Sequence, residues 1–283
     1  MRTPSCFGKR ISAADREFAR PGSSEDNWRL YYGSHVILKR FGRPAAQKAL
    51  ISSAQVDEIL GIVQPYSMVH ESGVRFTIDS AVSVIARNLP GVFIECGTWR
   101  GGCSVAMLLA QRVAFGEVRR PVYMLDSFAG LPKVEPRDGP LAAAWQAGAD
   151  PAKFFDNCKA AADDLDRLLA AQRFVPGDYY LVRGWFNDTV PTLAKELSNT
   201  GIALLRLDGD WYSSTEVCLQ HLCPLVAEEG VVIIDDYYAW DGCARAVHDY
   251  LSTHDLSYRI KSLYNNYGAY FIKRGARKSF EEF

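Results

Sequence analysis

The 283-residue sequence is poor in several features, and each shortage excludes a class of protein. No apolar run approaches the roughly 20 residues that a membrane-spanning helix needs. The formal net charge is −1, so no overall field draws the chain to nucleic acid or to a membrane. The seven cysteines are an odd number and include no C-x-x-C pair. That pattern reads as buried free thiols in a reducing, cytoplasmic setting, not as a disulfide framework or a zinc knuckle. The first ten residues, MRTPSCFGKR, hold no apolar core, so no secretory signal is expected. Both the G-x-G-x-x-G of dinucleotide sites and the G-x-S-x-G of serine hydrolases are missing. With 48% apolar and 23% charged residues, the composition is that of an ordinary globular protein.

Charge is unevenly placed. Residues 1–50 carry ten Lys and Arg against four Asp and Glu, while the remainder carries 22 against 29. Such a basic arm either attracts an anionic substrate or docking surface, or packs as a solvated segment on the acidic body. Residues 1–27 are polar with a Pro21-Gly22-Ser23-Ser24 breaker and read as a loose start. Residues 28–41 hold Trp28, Tyr31, Tyr32, Val36, Ile37 and Phe41, which need covering. Exchange of this arm between the subunits of a homodimer is one expectation.

Val56, Ile59, Leu60 and Val63 repeat at i, i+3, i+4, i+7, as do Ile78, Ala81, Val82 and Ile85, which predicts two amphipathic helices. From residue 92 the period changes. Apolar runs at 92–94, 121–125, 179–182, 202–207 and 231–234 predict five strands. Helical spacing fills 105–112, 158–169, a segment begun near Asp188-Thr189 and reaching 197, then 218–226 and 247–251. Residues 127–150 read as a long Pro/Gly/Ala-rich connection. Segments 258–263 and 269–273 flank Asn265-Asn266-Tyr267-Gly268 and predict a closing antiparallel hairpin. Strands alternating with helices specify an α/β, Rossmann-like, seven-stranded and mostly parallel sheet. Its binding edge is the row of strand carboxyl ends.

Carboxylates crowd that edge. The first strand ends in Glu95-Cys96-Gly97-Thr98-Trp99-Arg100-Gly101-Gly102, a turn in which glycine lets backbone approach a ligand at a helix N-terminus. Asp126, followed by Ser127, ends the second strand and is placed to accept the hydroxyl protons of a ribose. The third strand leads to Gly184-Trp185-Phe186. Asp208 ends the fourth, and Asp235-Asp236 the fifth. If those two strands are adjacent, their three acids converge, repel and call for a divalent cation with oxygen ligands, Mg²⁺, Ca²⁺ or Mn²⁺. Asp210 is open to three roles: ligand, general base or helix cap. The five histidines show no ligand spacing.

These residues resemble a known family. Residues 90–102, Leu125-Asp126-Ser127-Phe128-Ala129-Gly130-Leu131-Pro132, Leu207-Asp208-Gly209-Asp210-Trp211-Tyr212-Ser213-Ser214-Thr215 and Gly230-Val231-Val232-Ile233-Ile234-Asp235-Asp236-Tyr237 are similar, in this order, to the motifs of the TylF/MycF/NovP (macrocin-type) O-methyltransferases. The similarity spans roughly residues 66–273. It implies a class I S-adenosylmethionine (SAM) methyltransferase domain over 66–283, preceded by a basic, aromatic arm and helical lid over 1–65. It further implies SAM and Mg²⁺, or another divalent cation, as cofactors, and methylation of a hydroxyl on a sugar or glycosylated natural product. Carried over, Glu95, Gly97, Thr98, Trp99, Gly101 and Gly102 would line the methionine part, Asp126 and Ser127 would hold the ribose, and Trp185 and Phe186 would lie near the adenine. Asp208, Asp235 and Asp236 would hold the metal, with Asp208 also counted on the cofactor side. Asp210 would be the base. Two other readings stand beside this one: a metal-dependent methyltransferase of catechols or phenols, and a nucleotide- or metal-binding module without catalysis.

Overall fold

A parallel strand covered on both faces has to be apolar along its whole length. Strands β1 (Val92–Cys96) and β4 (Ile202–Leu207) are buried at every position, and they form the centre of the sheet. The computed structural model describes residues 50–148, 157–263 and 268–274. All of them fall in one of the chain's two compact units, Ala49–Phe283. The aromatic segment 28–41 and its expected role in a dimer lie outside the described residues, as does the Asn265–Tyr267 part of the hairpin turn.

β2 (Val122–Asp126), β3 (Tyr179–Arg183), β5 (Val226–Ile234), β6 (Lys261–Ser262) and β7 (Ala269–Ile272) complete seven strands in the order β3-β2-β1-β4-β5-β7-β6. β7 runs antiparallel to β5 and β6, and the other pairs are parallel. Strand order reverses between β1 and β4, and such a reversal opens a crevice at the carboxyl ends. The expected adjacency of the Asp208 and Asp235-Asp236 strands is observed, with Leu207 opposite Ile234.

The helices are α1 (Ser53–Val63), α2 (Glu71–Ala86), α3 (Gly102–Phe115), α4 (Gly139–Ala147), α5 (Ala162–Ala171), α6 (Phe186–Glu196), α7 (Tyr212–Leu222) and α8 (Asp241–Thr253). Ser52 and Gln55 form a capping box at the start of α1. None of the described helices is long and apolar enough to cross a membrane.

Four boundaries depart from the sequence pattern, each for a local reason. α5 begins at Ala162 and not near 158, because Asn157 and Cys158 hold φ of 49° and 57°, which a right-handed helix cannot include. α6 begins at Phe186, where the Trp185 carbonyl accepts from the Asp188 and Thr189 amides. α7 stops at Leu222 because Pro224 has no N–H to continue it, and Val226 opens β5. β5 is longer than expected, and its register shifts between the Ile202↔Val226 and Leu204↔Val231 pairs, close to Glu229 at φ 62°. The connection after β2 contains an unexpected helix, α4, entered by Pro140 and left at Gly148.

One half-buried acid on α2 is perturbed away from the strand ends. Burial pushes Asp79 on α2 up to about 6, with nearby Arg75 opposing the shift. Because the folded value lies above the unfolded one, the native chain holds the extra proton between about pH 4 and 6, and stability falls as pH rises through that window. Asp79→Asn is therefore expected to stabilise the protein by about 1–3 kcal/mol at pH 8 and to change little near pH 4, read from urea melts at the two pH values.

Candidate active site

The turn after β1 is shaped by backbone proximity. Gly97 sits at φ 92°, and a Cβ there would lie 1.7 Å from the Asp208 carbonyl oxygen, so no other residue fits. Its N–H donates to the Leu125 carbonyl at 2.8 Å, which draws the β2 end alongside. There the Asp126 carboxylate is fixed by two amides, Trp99 N–H on Oδ2 at 2.8 Å and Phe128 N–H on Oδ1 at 2.7 Å. Burial nevertheless raises the Asp126 pKa. The Ser127 hydroxyl accepts from the Ala129 amide and donates to the Gly130 carbonyl, closing the next turn. A Cβ on Gly101 would strike Leu165 of α5, and one on Gly102 would strike Ser67, so these glycines admit neighbouring segments to the start of α3.

Two cavities, of about 300 and 220 Å³, share Met68, Gly97, Trp99, Cys158, Asp208 and Asp210 and form two lobes of one cleft. Asp126, Ser127, Trp185 and Phe186 line the larger lobe. Glu95, Thr98, Gly102, Asp235 and Asp236 line the smaller one. The Thr98 hydroxyl and the Trp99 indole N–H are buried without a hydrogen-bond partner among the described residues. Buried polar atoms are normally satisfied, so both point to a polar ligand. Ser213 and Ser214, part of the motif after Asp208, also line this wall, as does Met68, which no charge or motif marks.

The carboxylates meet where the lobes join. Asp208, Asp210 and Asp236 each bring an oxygen into a group whose members all lie within 4.8 Å of one another. Asp210, at φ 57°, donates its backbone N–H to Asp236 Oδ2 at 2.9 Å, and its own Oδ1 accepts from the Trp240 indole N–H at 2.8 Å. Asp235 is turned to a different partner. Its Oδ1 lies 2.7 Å from Nη2 of Arg206, a fully buried β4 residue that also contacts Asp208 Oδ2 at 2.7 Å and Glu95 Oε1 at 3.3 Å. Ser104 donates to the other Glu95 oxygen. Arg206 escaped the sequence reading, although a lone charge in Ile-Ala-Leu-Leu-Arg-Leu was the available signal.

Burial, then the neighbouring acids, push Asp210 up to about 7. Burial pushes Asp235 and Glu95 to about 7 as well, against the pull of Arg206, and raises Asp236 well above the usual carboxylate range. Hard oxygen donors that repel one another fit a divalent cation of the Mg²⁺ or Mn²⁺ kind, and the absence of His and Cys from the group does not suit zinc.

Above Asp210 the indoles of Trp145, Trp211 and Trp240 meet edge to face, with centroids 5.0–5.9 Å apart. Trp211 is fully buried and donates to the Pro132 carbonyl at 3.0 Å. Asp138 accepts from the first amide of α7 at 2.7 Å. The β2–α4 connection is thereby pinned beside the acids.

The strand order β3-β2-β1-β4-β5-β7-β6, with β7 antiparallel, and the glycine turn after β1 are those of a class I SAM-methyltransferase fold. The chain superposes on the solved O-methyltransferase NovP with a TM-score of 0.68 at 23% identity, covering 80% of this chain and 100% of that one. The macrocin-O-methyltransferase (TylF) family model matches residues 62–273, and the chain belongs to that family. It is 36% identical over 195 residues to the 8-demethyl-8-(2,3-dimethoxy-alpha-L-rhamnosyl)-tetracenomycin-C 4'-O-methyltransferase of Streptomyces olivaceus, covering 64% of this chain and 66% of the relative. It is 33% identical over 186 residues to the mycinamicin III 3''-O-methyltransferase of Micromonospora griseorubida, covering 63% and 67%. The matched segment thus spans about two thirds of these relatives.

Proposed function

We propose that this chain is a SAM-dependent, divalent-cation-assisted O-methyltransferase acting on a hydroxyl of a sugar or glycosylated natural product. The observation that carries this reading is the group formed by Asp208, Asp210 and Asp236 in a cleft whose other lobe holds Asp126. The family and the two relatives, one named for transfer to a rhamnosyl-bearing compound, support the substrate class.

When bound, SAM supplies a methyl already activated by its sulfonium, and a divalent cation supplies charge that acidifies a hydroxyl. In this proposal the chain's residues do the rest. Asp126, fixed by two amides, and Ser127 take the ribose. Trp185 and Phe186 flank the base, and Glu95, Thr98 and Trp99 face the methionine end, where Gly97, Gly101 and Gly102 keep the turn compact. Asp208 and Asp236 hold the cation, and Asp235, paired with Arg206, stands beside them. Trp240 fixes Oδ1 of Asp210, so the hydroxyl proton goes to Oδ2. Orientation of the acceptor contributes up to about 7–11 kcal/mol in well-aligned reactions.

The test combines calorimetry with S-adenosylhomocysteine and transfer of labelled methyl from SAM to a panel of glycosides and catechols. Transfer to glycosides, abolished by EDTA and restored by Mg²⁺, is the expected result. Transfer to catechols alone would replace the substrate class, turnover indifferent to EDTA would remove the cation, and no binding of S-adenosylhomocysteine would end the proposal.

A further inference from the structure

Arg206 occupies a position that buried arginine rarely holds without purpose. It lies in the central strand β4, opposite Glu95 of β1 on one side and Ile233 of β5 on the other. Its side chain is 0% exposed. Among the described residues its three ion pairs run through the two terminal nitrogens, Nη1 to Glu95 and Asp208 and Nη2 to Asp235, while Nε has no partner there. The guanidinium therefore works as a fork across the carboxyl ends of β1, β4 and β5.

We propose that Arg206 is a positioning residue: it holds Oδ2 of Asp208, so that the other oxygen of Asp208 is presented with Asp210 and Asp236 as one preset group for a divalent cation, and it holds Asp235 by Oδ1 beside that group. This inference rests on the cation reading of the proposed function. The argument is geometric. Five acids, Glu95, Asp208, Asp210, Asp235 and Asp236, line the smaller lobe. Buried carboxylates left without a partner turn away from one another or take up protons. Arg206 cancels one charge, but any cation would do that. What a planar guanidinium adds is two fixed donor directions, whereas an ammonium is a point charge with no fork. Asp208 and Asp235 come from different strands, and Arg206 bonds to both.

The test measures Mn²⁺ affinity by electron paramagnetic resonance on the metal-freed full chain, with S-adenosylhomocysteine affinity taken on the same sample. Arg206→Lys keeps the charge and loses the fork. It is expected to bind Mn²⁺ about 10–100-fold more weakly than wild type, as partners of metal ligands typically do when changed. Unchanged Mn²⁺ affinity in Arg206→Lys would overturn the inference and leave Arg206 as a charge balance alone. If that variant does not fold, Arg206→Met/Asp235→Asn, in which the lost charges cancel, is compared with Asp235→Asn. A further drop in affinity supports positioning of Asp208, and equality overturns it. Wild type that binds S-adenosylhomocysteine but no Mn²⁺ would overturn this inference and the cation while leaving methyl transfer standing.

Discussion

Asp210→Asn is expected to lower kcat by roughly 10²–10⁴-fold, the range for losing a general base, with S-adenosylhomocysteine affinity retained. The substitution suits the purpose because the surroundings accept an amide. The Trp240 indole still finds a carbonyl at Oδ1, and the bond from the Asp210 amide to Asp236 uses backbone only. The Asn amide has no basic oxygen for the acceptor's proton, so the chemical step is expected to slow while Asp126, proposed to take the ribose, keeps its two amide bonds across the cleft. Steady-state rates with a glycoside acceptor, beside calorimetry, separate the two. Turnover near the wild-type value would remove Asp210 as base.

Gly97→Ala has the larger structural consequence. An added Cβ would stand 1.7 Å from the Asp208 carbonyl oxygen and 2.7 Å from its carbon, both backbone atoms, at a φ of 92° that L side chains rarely adopt. Neither β1 nor β4 can withdraw, since both are buried in mid-sheet. The expected cost exceeds about 4 kcal/mol, the range reserved for core strain and clashes, and binding of S-adenosylhomocysteine is lost. Gly116→Ala is the control. It shares a positive φ, 81°, but meets nothing within 4 Å, so about 1–2 kcal/mol of left-handed strain is all it incurs. Urea melts of the two variants check the contrast, and equal stabilities would show that the strand ends are not in contact.

The sheet and much of the site were legible in the sequence because both follow from local signals. Buried parallel strands leave continuous apolar runs, and Asp126, Asp208 and Asp235-Asp236 stand just past such runs. The rest depends on contacts between distant segments. α4 is rich in alanine and buries Ala142 alone, so no apolar period announced it. Trp145, Trp211 and Trp240 come from three separate segments, and nothing within any one of them predicts the cluster. The pairing of Asp235 with Arg206, not with the group around Asp210, depends on side-chain directions that spacing along the chain does not encode.

The tryptophan cluster also gives the protein a built-in optical signal. Three indoles in edge contact couple electronically, and Trp240 is bonded to the Asp210 carboxylate, while Trp99 and Trp185 line the cleft. Two tryptophans thus line the cleft, and the three-indole cluster meets it through the bond from Trp240 to Asp210. Near-ultraviolet circular dichroism and intrinsic emission would then follow occupancy of the cleft directly, with no label attached.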